Sequence, residues 1–242
     1  MPSYAIISDV HANLEALNAV LQAGEKENVD ELLFLGDCVG YGPDPNLCIE
    51  MLYTSAGILL AGNHDRGAVG LTDISSFNPH ARLALNWTSD TLTDHNKTVL
   101  KELPLIASVA EGNLLLVHAS PYEPENWHYI TNEFNAFTAF RFFQERICFV
   151  GHSHRPLIAE QSVEGSITLH PERVTLNDRG RYLVNVGSVG QPRDGNPDAA
   201  YAIFRENTIT IKRVPYDIVV TQKKMKKAGL SEYLINRLAA GR

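Results

Sequence analysis

Five of the nine histidines, together with three aspartates and an asparagine, fall in short polar clusters: Ser8-Asp9-Val10-His11, Gly36-Asp37, Gly62-Asn63-His64-Asp65, Val117-His118 and Gly151-His152-Ser153-His154. Imidazole mixed with carboxylate suits borderline divalent ions such as manganese, iron, cobalt, nickel or zinc, whereas an all-oxygen cage would suit calcium or magnesium. Asp9, His11, Asp37, Asn63, His118, His152 and His154 make seven candidate ligands. That is too many for one catalytic ion that keeps a position open. Two divalent ions sharing one carboxylate match the number. Such a pair holds a hydroxide between the ions and clamps the attacking and leaving oxygens of a phosphoryl centre. His64 stands outside the count as an imidazole able to donate a proton. Asp65 either orients it or caps the following turn.

These residues need elements that bring them together. Each cluster follows a short apolar run: Tyr4 to Ile7, Leu32 to Leu35, Ile58 to Ala61, Leu114 to Val117 and Ile147 to Val150. Runs of this length rich in Ile, Leu and Val read as parallel strands buried on both faces. Open α/β sheets collect ligands at the carboxyl ends of their strands, so the clusters should converge. Asp9 with His11, and His152 with His154, are two positions apart, which in extended chain puts both side chains on one face. Asn13 can cap a helix whose Leu14, Leu17, Val20 and Leu21 share a face. Strand, helix, strand points to an α/β fold. Asn78 to Leu103 reads as one or two helices and Asn135 to Arg146 as another, so residues 66–100 and 121–146 are expected to form a small helical covering lobe. Strands are expected at Ser166 to His170, Tyr182 to Val186, Ala200 to Arg205 and Thr208 to Val214, with Glu206-Asn207 as a two-residue hairpin turn. The tail, residues 215–242, is amphipathic from Thr221 to Leu238. Its Lys223, Lys224, Lys226 and Lys227 read as a solvated face, and the tail could also serve as a homodimer contact. No repeat or linker divides residues 1–242, which read as a single domain.

Twenty-one basic against 28 acidic side chains leave a net charge of −7, which argues against a nucleic-acid polymer as partner. No stretch approaches the roughly 20 apolar residues of a bilayer span, and no basic region precedes the first apolar run. A cytoplasmic protein without membrane contact is expected. Cys38, Cys48 and Cys148 are odd in number and irregular in spacing, as suits buried thiols rather than disulfides or a structural zinc site.

The clusters resemble the calcineurin-like metallophosphoesterase superfamily, whose pattern is D-x-H, G-D, G-N-H-D/E, H and G-H-x-H in that order. All five parts are present, in Asp9 to His11, Gly36-Asp37, Gly62 to Asp65, His118 and Gly151 to His154, and the likeness covers about residues 3 to 213. The resemblance implies two packed mixed β-sheets flanked by helices. It implies that Asp9, His11, Asp37 and His154 hold one ion, that Asp37, Asn63, His118 and His152 hold the other, and that His64 protonates the leaving group. The segment Gly187-Ser188-Val189-Gly190-Gln191-Pro192-Arg193 is similar to that of a compact prokaryotic branch of phosphodiesterases and phosphatases related to diadenosine tetraphosphatase. A small-molecule phosphate ester is the implied substrate. Gly36-Asp37 continues Cys38-Val39-Gly40, where protein serine/threonine phosphatases carry a further Asp and Arg, which argues against that activity. His64 argues against a catalytically inactive scaffold of this fold, and the net charge against a DNA nuclease.

Substrate contacts are expected from Asn63 and Arg193. Arg193 follows a glycine-rich loop and the constraining Pro192, so its planar fork could clamp the outer oxygens of a phosphate. The alternative is a structural pair with Asp194 or Asp198. Trp127 and Tyr129, shortly after His118, either wall the pocket and stack on a base or pack in the core.

Overall fold

The computed structural model describes residues 2–242. In chain order the first elements are β1 (Tyr4–Ile7), α1 (Leu14–Glu27), β2 (Glu31–Phe34), α2 (Pro45–Ser55), β3 (Ile58–Leu59) and the short α3 (Asn63–Ala68). Then come α4 (Pro79–Thr91), α5 (Asp94–Glu102), β4 (Ile106–Val109), β5 (Leu114–Val117), α6 (Glu133–Ala139) and β6 (Ile147–Val150). The last third holds β7 (Leu157–Gln161), β8 (Ile167–His170), β9 (Arg173–Thr175), β10 (Arg181–Asn185), β11 (Ala199–Arg205), β12 (Thr208–Val214), α7 (Ile218–Lys227) and α8 (Glu232–Ala240).

The strands form two six-stranded sheets, ordered β3-β2-β1-β11-β12-β9 and β4-β5-β6-β10-β7-β8. Both are mixed. β1, β2 and β3 run parallel, as do β5, β6 and β10, and β11, β12, β9, β4, β7 and β8 join them through antiparallel pairs. Alternate side chains of a strand point to opposite faces. Thus Ile6, Leu33, Leu116, Phe149 and Val184 meet between the sheets. Their neighbours Ile7 and Phe34 pack with Leu17 of α1 and Leu52 of α2, and Leu115, Cys148 and Val150 pack with Ala136 of α6. Both faces of the central strands are buried, which is why these runs show no polar alternation. Each such side chain contributes about 1.5–3 kcal/mol by leaving water.

Asn13 caps α1 as expected, its side chain accepting the Ala16 N–H at 3.2 Å. Asn78 and Thr93 cap α4 and α5, so the Asn78 to Leu103 stretch is two helices. The helix expected at Asn135 to Arg146 is corrected. α6 starts earlier because Asn132 caps it, and after Ala139 a 3-10 turn over Phe140–Phe142 replaces the regular coil. Phe140 and Phe143 are buried beside the Arg181 guanidinium there. Glu206 and Asn207 hold φ of +49° and +58°, as a tight two-residue hairpin requires. In the tail, α7 and α8 pack Met225, Leu234 and Leu238 near Tyr41 and α4. Lys224 is no solvated charge: its ammonium bridges Glu15 at 2.5 Å and Asp44 at 2.8 Å. All three cysteines are free and buried. No helix among the described residues is long and apolar enough to cross a membrane.

Candidate metal centre

Asp9 and His11 follow β1, Asp37 follows β2, Asn63 and His64 follow β3, His118 follows β5, and His152 and His154 follow β6. Every cluster therefore leaves the carboxyl end of a parallel strand, from both sheets. The expectation that paired residues share a face of extended chain is overturned. Asp9, His11, Asp37, His152 and His154 hold φ of +55°, +49°, +58°, +63° and +59°, a region that costs a non-glycine residue about 1–2 kcal/mol. The chain curls as it leaves the sheet and delivers His152 and His154 to different donor groups. Backbone bonds between loops hold the curls: His11 N–H donates to the Asp37 carbonyl at 3.0 Å and Gly190 N–H to the Asp9 carbonyl at 2.9 Å. Two crossings admit only glycine. A Cβ on Gly62 would lie 2.1 Å from Asp37 Oδ1, and one on Gly151 would lie 2.1 Å from Ser8 Oγ.

The imidazoles are aimed through their far nitrogens. His11 Nδ1 lies 3.0 Å from the Val39 carbonyl oxygen, His118 Nδ1 3.1 Å from that of Leu35 and His154 Nδ1 2.6 Å from that of Gln191. A carbonyl only accepts, so each Nδ1 donates, and a neutral ring turns its Nε2 lone pair inward. His11 Nε2 and His154 Nε2 consequently face each other at 3.1 Å. Asp9 Oδ1, 3.2 Å from His154 Nε2, is buried and receives no hydrogen bond. Three acceptors thus converge where only a cation satisfies them all. His152 Nε2 is likewise buried without a partner. Asp9, His11 and His154 form one group whose donor atoms all lie within 4.8 Å, and Asp37, His118 and His152 form another. Asn63 Oδ1 joins the second, 3.2 Å from His118 Nε2.

Burial pushes His11, His152 and His154 below the usual imidazole range, His152 to about 3, which leaves neutral rings able to ligate. Burial acts to raise Asp37, but the charges of His118 and His64 outweigh it and hold the carboxyl well below its usual range. Burial opposes charge on His118 too, yet Asp37 overrides it and lifts that ring to about 9. His118 is the counter-charge of Asp37, carrying a proton that a metal ion would displace.

His64 is placed differently. Its backbone N–H donates to Asp37 Oδ1 at 2.8 Å, its ring lies 4.5 Å from Tyr41, 4.8 Å from His11 and 5.3 Å from Phe77 between centroids, and its buried Nδ1 has no partner. Burial lowers it to about 4. Asp65 makes no hydrogen bond to that ring. Its carboxylate accepts N–H groups from Asp37 at 2.7 Å, Val39 at 3.1 Å and Gly62 at 2.9 Å, and so ties the loop after β2 to the loop after β3. Burial, then the Asp37 charge, push its carboxyl up to about 7.

A cavity of about 270 Å³ opens in front of His64, walled by Tyr41, Phe77, Trp127, Tyr129 and His152. Trp127 and Tyr129 are therefore pocket residues; Tyr129 stacks on His152 with centroids 4.1 Å apart. Arg193 donates to Gln191 Oε1 at 3.0 Å and to the Tyr41 hydroxyl at 3.4 Å. Its alternative partner Asp194 is taken by Arg213. Sequence reasoning missed Asn185 and Ser188, whose side chains donate to the carbonyls of Gly151 and Asp9. Asn185 carried a legible signal, a polar residue ending an apolar strand. His80, His128 and His170 lie apart, against Tyr233, Glu123 and Glu160.

Residues 3–208 match the model of the calcineurin-like phosphoesterase superfamily domain. An uncharacterized protein of Methanocaldococcus jannaschii is 40% identical over 242 residues, 98% of either chain. The crystal structure of a metallophosphoesterase from Sphaerobacter thermophilus is similar with a TM-score of 0.87 at 42% identity, covering 100% of this chain and 99% of that one. The symmetrical bis(5'-nucleosyl)-tetraphosphatase of Psychromonas ingrahamii is 32% identical over 126 residues, 47% of this chain and 42% of that protein.

Proposed function

The chain belongs to the calcineurin-like phosphoesterase superfamily, and from that premise we propose that it is a cytoplasmic, metal-dependent hydrolase of small phosphate esters, a phosphodiesterase or a phosphatase of broad specificity. The observation that carries this reading is the facing pair of His11 and His154 lone pairs beside the unpartnered Asp9 Oδ1. Asp9, His11, Asp37 and His154 would hold one divalent ion, and Asp37, Asn63, His118 and His152 a second, with manganese the first choice among borderline metals. When bound, the ions supply Lewis acidity toward a phosphoryl oxygen and a nucleophile drawn from water at neutral pH.

The chain's own residues do the rest. Arg193, braced by Gln191 and Tyr41, presents its fork to the outer phosphate oxygens, and Asn63 lies beside the same centre. His64 is fixed by Tyr41 and Phe77, and the negative charge of a bound phosphate opposes the burial that lowers the ring, so that it holds the proton for the leaving oxygen. The aromatic cavity receives the leaving group, and its flat walls favour a planar one. The likeness to a tetraphosphatase of dinucleosides supports that choice. The test is a panel of phosphomonoesters, phosphodiesters and dinucleoside polyphosphates, assayed after manganese is returned to metal-stripped protein. Manganese-dependent turnover of at least one class is expected, and no turnover of any class by metal-loaded, folded protein overturns the reading.

A further inference from the structure

Arg193, whose guanidinium donates to Tyr41 of the first cavity's wall, lines a second cavity of about 580 Å³, whose wall also carries Arg155, Tyr233, Arg237 and Arg242. Arg155, Arg193 and Arg237 come from three places in the chain: the loop after β6, the loop after β10, and α8. They are held as a unit. Arg155 Nε donates to the Arg193 carbonyl at 3.0 Å, Arg193 N–H donates to the His154 carbonyl at 3.1 Å, and Arg237 lies over the Tyr233 ring at 5.5 Å. Among the described residues Arg155 and Arg193 have no carboxylate partner, and Arg237 Nε donates to the backbone oxygen of Arg242. Asp194, the carboxylate on this wall, is engaged by Arg213. Burial, then the charge of Arg193, pull Arg237 below the ordinary guanidinium range, so the positive charges act on one another.

A chain of net charge −7 has ample carboxylates to neutralise such a group, yet here like charges stand together around open space. Unpaired cations in proximity repel, and an anion between them removes the cost. Planar forks match phosphate oxygens in particular. Arg193 lines this cavity and donates to the hydroxyl of Tyr41, which walls the first, so an anion held here lies next to the phosphoryl site and is placed to belong to the same molecule. We propose that the cavity of Arg155, Arg193 and Arg237 binds a second phosphate of the substrate, so that the substrates this chain selects are molecules with more than one phosphate. The tie to turnover rests on the hydrolase reading; the anion site itself does not.

Calorimetry on metal-free protein tests it, with inorganic tripolyphosphate and inorganic phosphate as the probes. Tripolyphosphate should bind more tightly than phosphate, lose affinity as salt rises, and lose about tenfold in Arg155→Gln and again in Arg237→Gln. Arg155 is exposed, so its variant tests the site even where the α8 variant folds poorly. Affinity equal to wild type in Arg155→Gln, or loss only when Lys223, Lys226 and Lys227 are neutralised, overturns the proposal. Manganese-dependent hydrolysis of any member of the phosphomonoester, phosphodiester and dinucleoside polyphosphate panel by wild type, measured in parallel, separates the two readings. Its absence alongside arginine-dependent binding removes only the hydrolase; its presence alongside arginine-independent binding removes only this cavity.

Discussion

Asp37 Oδ2 lies 3.6 Å from His11 Nε2 and 3.4 Å from His118 Nε2, within reach of both donor groups, whereas His154 belongs to one. Elemental analysis after manganese loading should therefore find about two equivalents in wild type, about one in His154→Ala and close to none in Asp37→Asn. A single equivalent in fully active wild type would exclude the shared carboxylate. His64→Ala should keep its metals and lose about 10²- to 10⁴-fold in turnover of esters with poor leaving groups. Activated aryl esters leave without a proton and should suffer less, so a uniform loss denies His64 the acid role. Arg193→Lys keeps the charge but not the fork. It should raise KM or lower kcat at unchanged metal content and melting temperature; early melting with full activity of the folded fraction would make Arg193 a stability residue.

The loops after β2 and β3 are joined by one buried carboxylate, so at the scale of elements Asp65 matters as much as any ligand. Three N–H groups converge on it, and an amide in its place would turn its own donors toward some of them. Each buried donor left unpaired costs about 1–3 kcal/mol. Asp65→Asn should lower the melting temperature by roughly 2–4 °C per kcal/mol. It should also weaken manganese binding by about 10- to 100-fold, although Asp65 contributes no ligand in the proposed centre. Titration calorimetry that finds wild-type affinity at a wild-type melting temperature would show that these loops are fixed by something else.

Both sheets feed the centre: Asp9, Asp37 and Asn63 come from the first, His118, His152 and His154 from the second. Ions bound there would clamp the sheets at their carboxyl ends, adding to the apolar layer of Ile6, Leu33, Leu116 and Phe149 between them. The unfolded chain offers no such arrangement, so at free manganese a hundredfold above its dissociation constant the gain is about 2.7 kcal/mol. Scanning calorimetry should show melting raised by about 5–10 °C, reversed by a chelator. Melting that ignores the metal, in protein shown to hold it, would mean that the ions do not bridge the sheets.

The five apolar runs, the polar residues that end them and the Asn13 cap were legible in the sequence because each is a local property. A strand buried on both faces must be apolar, and a ligand at its end must interrupt that pattern. Short strands such as β4, which exposes Ile106 and Ser108 at an edge, lacked the pattern and went unread. The aim of each ring was equally illegible, since His11, His118 and His154 are oriented by the carbonyls of Val39, Leu35 and Gln191, 28, 83 and 37 positions away. So were the left-handed curls that part His152 from His154, the tie that Asp65 makes between two loops, and the meeting of Arg155, Arg193 and Arg237. Residue type and spacing determined which chemistry the strand ends could carry. Tertiary structure alone decided which lone pairs face each other and which charges stay unpaired, because hydrogen bonds and Coulomb forces act between neighbours in space, and these neighbours are distant in the chain.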